Sequence, residues 1–240
     1  MKRSKILNFI SKYTLDGHID SVRWDISDKK LATHFMSPTK SLMGHVTTEL
    51  DYEEDAEIGI YETGKLNKMI SILEEEIKMK LNKSQDSFKT IEFLDANTKI
   101  KYMLSELDII ERVSDIKYIP EFKLTVKITK DIISKFLKAK AAIDLSEYFY
   151  INCDILAETC RFILGEGTNQ ININVDFESE IDIQNLSFST ELFSAILSSN
   201  KDFEEASLKV SDEGLLHASF KNSEFTTDYY LVARIGDTDD

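Results

Sequence analysis

Apolar and polar residues alternate along most of this chain, and a period of two places successive side chains on opposite faces of a half-buried strand. Leu31, Thr33 and Phe35 fall on one face of such a segment, and Leu42, Gly44 and Val46 on the matching face of the next. Ser37-Pro38-Thr39-Lys40 lies between them as a turn, so the pair predicts an antiparallel hairpin. The same alternation predicts strands over 21–26, 57–61, 77–81, 88–94 and 99–104. Later in the chain it predicts strands over 122–128, 147–153, 159–164, 169–177, 181–186, 206–210, 215–220 and 228–233. Only four segments change to helical spacing: 4–13, 64–75, 129–142 and 189–201. Three of them open on Ser or Thr, whose side-chain oxygen can accept from the free N–H groups of a first helical turn.

The helix starts are regularly placed. Gly64 lies as far beyond Ser4 as Ser189 lies beyond Thr129, so the second pair of helices repeats the spacing of the first. Repetition on this scale predicts two copies of one unit, each a strand-rich sheet with two helices on one face, an α+β architecture. Residue identity between the halves is slight, although Ser4-Lys5 before Ile6-Leu7 echoes Thr129-Lys130 before Ile132-Ile133. The expected division is a first domain over 1–107, a connector over 108–121 and a second domain over 122–240. In and around the connector, Leu107, Ile109, Ile110, Val113, Ile116, Tyr118, Ile119 and Pro120 are interleaved with acids, whereas connecting segments are ordinarily polar. Such a connector either packs on its own domain or borders a groove that another chain can fill.

On a wheel of about 100° per residue the helices separate into faces. In 4–13, Ile6, Leu7, Ile10 and Tyr13 form the apolar arc, and Lys5, Asn8 and Lys12 oppose it. In 129–142, Lys135 and Lys138 oppose Ile132, Ile133, Phe136 and Leu137, with Asp131 as the one acid. In 64–75, Lys68 faces away from Leu66, Met69, Ile70 and Leu73, with Lys65 on the flank and Glu75 on the same side. The fourth helix has only Lys201 at its edge. Three helices thus expose lysine in a chain whose net charge is −14. That sum alone argues against a polyanion as partner, so the placement of the cations carries more weight.

Little points to catalysis or a metal. Gly165-Glu166-Gly167 lacks the lysine and helix that a phosphate-cradling loop requires. Of His18, His34, His45 and His217, only His34 and His45 can be neighbours, as a diagonal pair on the outer face of the predicted hairpin, and no third ligand joins them. Glu53-Glu54-Asp55 and Glu74-Glu75-Glu76 read as solvated charge, and no Gly-x-Ser-x-Gly elbow occurs. Cys153 and Cys160 fall in separate predicted strands and read as core thiols. No cofactor is implied. The first twelve residues are too short and polar for a signal peptide, and no run approaches the roughly eighteen apolar residues of a membrane span, so a cytoplasmic location is expected.

Two stretches resemble a known family, the processivity clamps that include the sliding clamps of tailed bacteriophages and the proliferating cell nuclear antigen of eukaryotes. One is Ala56-Glu57-Ile58-Gly59-Ile60-Tyr61 with the following helix of Leu66, Met69, Ile70 and Leu73. The other runs from Leu186-Ser187-Phe188-Ser189 through Leu192-Phe193, the turn Asp212-Glu213-Gly214 and the closing Tyr229-Tyr230-Leu231-Val232-Ala233. The resemblance implies a DNA-clamp fold of two similar domains, with antiparallel sheets outside and two helices per domain lining a central channel. It implies a homotrimer that encircles double-stranded DNA without sequence specificity, tethers a DNA polymerase and is opened by an ATP-dependent clamp loader. Under it, Lys5, Lys12, Lys65, Lys68, Lys130, Lys135 and Lys138 would face DNA. Ile109, Ile110, Val113, Tyr118 and Ile119, with Arg234 and Ile235, would border a groove for partner peptides. Such clamps carry more basic residues on the last helix than this chain does. If phage-encoded, the protein would act in the cytoplasm of an infected bacterium. The composition equally admits a monomeric acidic interaction or assembly protein that never encircles DNA.

Overall fold

The computed structural model describes residues 1–85, 87–114, 116–143 and 146–234. They form two compact units. The first comprises residues 1–38, 43–114 and 223–227, the second residues 39–42, 116–222 and 228–234, apart from those not described.

The first unit opens with α1 (Arg3–Thr14), followed by β1 (Val22–Ser27), β2 (Lys30–Met36), β3 (Leu42–Glu49) and β4 (Ala56–Ile60). Then come α2 (Thr63–Ser71), β5 (Lys78–Ser84), β6 (Ser87–Leu94) and β7 (Lys99–Met103). Its strands pair in the orders β3-β2-β1-β4 and β5-β6-β7, all antiparallel.

The second unit begins with β8 (Leu124–Val126) and α3 (Lys130–Ala142), then β9 (Tyr148–Asp154), β10 (Thr159–Glu166), β11 (Asn169–Asn174), β12 (Phe177–Ser179) and β13 (Ile183–Ser189). α4 (Thr190–Ser199) leads to β14 (Glu205–Val210), β15 (Leu215–Lys221) and β16 (Phe225–Val232). The orders are β11-β10-β9-β13 and β12-β8-β14-β15-β16. Three strands in succession, with a later one flanking the first of them, is the pattern of β3-β2-β1-β4 repeated. The helices begin at Arg3, Thr63, Lys130 and Thr190, so the interval within each pair is the same, as the spacing predicts.

Local chemistry explains the boundaries. Thr129 and Ser189 accept at Oγ from Ile132 N (3.2 Å) and Leu192 N (3.3 Å), each satisfying one orphan donor of a first turn. Ser4 does no such thing, because α1 starts one residue earlier; its hydroxyl instead donates to Glu75. α2 stops at Ser71 rather than running to 75, where Arg3 donates to the carbonyls of Ser71 (3.2 Å) and Leu73. The strand expected over 169–177 is two, β11 and β12, which lie in different sheets.

Each unit buries an aromatic core. In the first, Trp24 packs edge-on against Phe9 (centroids 5.6 Å apart) and donates from Nε1 to the Tyr13 hydroxyl at 3.2 Å. That partner offsets the cost of burying the indole N–H, and burial in turn pushes the Tyr13 hydroxyl above the ordinary tyrosine range. In the second, Phe136, Phe149, Phe162 and Phe193 interlock with centroids 4.8–6.1 Å apart. Cys153 and Cys160 are buried as expected, and they stand directly opposite one another across β9 and β10. Burial pushes the Cys160 thiol up to about 12, which suits an inert core thiol.

The start of the connector is bound to the first unit. Ser105 N donates to Gly59 O at 2.9 Å, and a Cβ at Gly59 would lie 2.7 Å from Ser105 O, so only glycine permits this approach. After the single 3-10 turn Leu107–Ile109, the Arg23 guanidinium donates to the carbonyls of Leu107 (2.6 Å) and Ile110 (2.7 and 2.9 Å) and pairs with Glu57 at 3.2 Å. Arg23→Ala would orphan these carbonyls, a cost of about 2–4 kcal/mol from several charge-assisted bonds in a half-buried site. Amide hydrogen exchange at Ile109 and Ile110 should accelerate in this variant, with the β9–β10 amides unchanged.

Candidate nucleic-acid interface and partner surface

In each unit the two helices pack against one another, α1 on α2 and α3 on α4. On the first pair, Lys65 and Lys68 are exposed and Lys5 is half-exposed. Lys65 is 3.4 Å from Glu62, an exposed contact that leaves the ammonium accessible. Lys12 is a correction. It is 2% exposed, and its ammonium sits 5.1 Å over the ring of Phe225. The buried face of α1 is Ile6, Phe9, Ile10 and Tyr13, while Leu7 is only half-buried. The apolar arc is therefore rotated toward Phe9 from where the wheel reading centred it, and Lys12 falls on its flank. Lys2, exposed immediately before α1, belongs to this basic region, and starting the helix at Ser4 hid it.

On the second pair, Lys130, Lys135 and Lys138 are all exposed. Lys135 lies 2.7 Å from Asp131 one turn earlier, again at the surface. α4 offers no cation: seven of its ten residues are buried, and Glu191 and Ser198 are its exposed ones. Lys201 is exposed just beyond its end.

The residues assigned to a peptide groove divide between the units. In the first, Ile109 is 69% exposed and Val113 half-buried. Ile110 is a second correction: at 4% exposure it packs beside Gly59, with its carbonyl held by Arg23, so it fastens the connector down instead of bordering a groove. In the second unit, Tyr118 (67% exposed) donates its hydroxyl to Glu213 Oε1 at 3.1 Å, and Ile119 is exposed beside it. The adjoining Gly214 O accepts from Ala233 N at 2.7 Å, and Arg234 follows with its guanidinium 4.8 Å over Tyr148. Ile235 lies outside the described residues.

Sequence reasoning missed one cluster here. His217 Nε2 is hydrogen-bonded to Asp228 Oδ1 (2.9 Å), and its ring stacks on Tyr230 at 4.5 Å with Phe122 at 5.8 Å. The period-two spacing of Asp228 and Tyr230 on a strand beside His217 was the available signal. His34 and His45 are directly opposed, with rings 4.2 Å apart, rather than diagonal. Among the described residues no group of three His, Cys, Asp or Glu could hold a metal ion, and no helix is long and apolar enough to cross a membrane.

Two units of like topology, each with a helix pair set against antiparallel sheets, define the fold of the DNA sliding clamps. The solved structure of Proliferating Cellular Nuclear Antigen from Entamoeba histolytica matches with a TM-score of 0.76 over 98% of this chain and 97% of that one, at 17% identity. No protein-family model matches the sequence, and no curated protein matches it either.

Proposed function

We propose that this protein is a non-catalytic sliding clamp. Three copies close into a ring around duplex DNA, and the ring tethers a replicative polymerase. The observation that carries this reading is the exposed or half-exposed lysine on helices of both units, Lys5, Lys65, Lys68, Lys130, Lys135 and Lys138, in a chain with a net charge of −14. Cations on helix faces contact phosphates without reading bases, and such contacts exchange easily along the duplex. The acidic remainder disfavours DNA elsewhere on the surface.

A ring also needs free edges to join. In the first unit β7 ends its sheet, and beside it α2 and β7 border an open cavity of about 410 Å³ lined by Tyr61, Lys65, Met69, Lys101 and Met103. In the second unit β11 ends its sheet. Pairing β7 of one chain with β11 of the next is a heterologous contact that can close on itself and removes two exposed edges per junction. Opening such a ring calls for an ATP-dependent loader. The exposed or half-exposed positions open to a partner's short hydrophobic peptide are Ile109 and Val113 in the first unit and, separately, Tyr118, Ile119 and Arg234 in the second. If the resemblance of 56–61 and 186–233 to clamps of tailed bacteriophages reflects a phage origin, the site of action is the cytoplasm of an infected bacterium.

Lys135→Glu with Lys138→Glu tests the DNA-facing assignment. Polymerase stimulation on primed DNA should fall several-fold at physiological salt and the salt slope of DNA binding by about 2, since each phosphate contact contributes about 0.9. The native mass should not change. Undiminished stimulation would remove these helices from the DNA path.

A further inference from the structure

The outer face of the β5-β6-β7 sheet in the first unit carries a second concentration of positive charge, set on strands instead of helices. Lys78 and Lys80 on β5 and Lys99 and Lys101 on β7 are all exposed, and Met79, Leu81, Ile100 and Tyr102 between them point into the core. The register aligns Lys80, Glu92 and Lys101 in one row and Lys78, Leu94 and Lys99 in the next. Glu92 is the one acid in these rows and is paired with Lys99 at 2.8 Å, which holds its carboxyl below the usual range. Lys78, Lys80 and Lys101 make no ion pair among the described residues.

Lysines at alternate positions of one strand stand about 7 Å apart, and the two rows of the flanking strands about 10 Å apart across β6. Carboxylates at alternate positions of an extended peptide repeat at the same interval, because both chains have the same rise per residue. A nucleic-acid strand would want exposed aromatic rings for its bases. Of the rings at its borders, Phe88 is already covered by Lys83 Nζ at 4.6 Å, with Lys83 itself paired with Glu54 at 2.5 Å, which leaves Tyr61 beside Lys101 as a single exposed ring where stacking along a strand draws on several. In the next row Asn82 and Thr90 are bonded to each other at 3.2 Å, and Met103 stands exposed opposite Thr90.

We propose that this sheet face docks an extended acidic peptide of a partner protein, with carboxylates at alternate positions seated on Lys78, Lys80 and Lys101. The proposal lies within one unit and does not depend on ring closure or on DNA binding.

Fluorescence anisotropy with a labelled Glu-Ser repeat peptide tests it on the full chain. Binding should weaken about five-fold or more at low salt in Lys78→Glu with Lys80→Glu, and less so in the milder Lys78→Gln with Lys80→Gln. The difference should shrink at physiological salt, as exposed charge pairs are screened. Lys135→Glu with Lys138→Glu should bind the peptide as the unmodified chain does, which separates this surface from the DNA-facing one. No peptide binding, or binding unchanged in both β5 variants, overturns the proposal. So does oligothymidylate binding that the β5 substitutions weaken more than they weaken peptide binding.

Discussion

Lys101→Pro is expected to break the ring into single chains while leaving each chain folded. Leu104 N donates to Lys89 O at 2.9 Å, and Tyr102 faces Ile91 across the same ladder. Alternation along an antiparallel edge then turns the N–H groups of Lys101 and Met103 outward, away from β6. Proline at 101 removes an outward donor and adds a ring where a neighbouring strand must approach, without touching the β6–β7 bonds. The cost is about 1–3 kcal/mol per junction, or about 5- to 150-fold in the dissociation constant. Sedimentation velocity reads the change in mass, and circular dichroism confirms that the sheet persists.

The opposite edge of this sheet is built differently. Met1 and Ile77 exchange hydrogen bonds of 3.0 and 2.9 Å, Arg3 N donates to Glu75 O at 2.7 Å, and the Tyr52 hydroxyl accepts from Leu81 N at 3.2 Å. One edge is closed by the chain's own backbone and a tyrosine. Beyond β7 no strand follows in this sheet among the described residues.

Phe193→Ala is expected to destabilise the second unit by about 3–5 kcal/mol, the range for emptying an aromatic site in a packed core. Phe193 is fully buried, with Phe149 stacked at 4.8 Å and Phe136 edge-on at 4.9 Å. It also joins α4 to the rest of its unit, since that helix has little solvent face of its own. Urea unfolding should show the loss, whereas Ser198→Ala, at an exposed position of α4, should shift stability by no more than about 0.5 kcal/mol.

Much of this fold was legible in the sequence because each strand buries one face, which writes a period of two into residues such as Leu31, Thr33 and Phe35. The equal helix spacing was legible for a related reason: two units of the same topology need the same lengths of chain between helices. What the pattern did not reveal was set by contacts distant in sequence. Lys12 is buried by Phe225, near the other end of the chain, and no wheel drawn on one helix contains that information. For Ile110 the sequence left packing and a groove both open, because Arg23 and Gly59, which hold it, lie far from it along the chain. The break between β11 and β12 leaves the apolar alternation of 169–177 nearly undisturbed, so periodicity alone joined strands that belong to different sheets. The opposition of His34 and His45 was missed by one step of register, which the turn decides rather than the strands.

The native mass of the unmodified chain, by light scattering across a concentration series, tests ring closure without any partner. The expected result is three times the chain mass of 27.5 kDa. A mass of one chain at every concentration would contradict the ring.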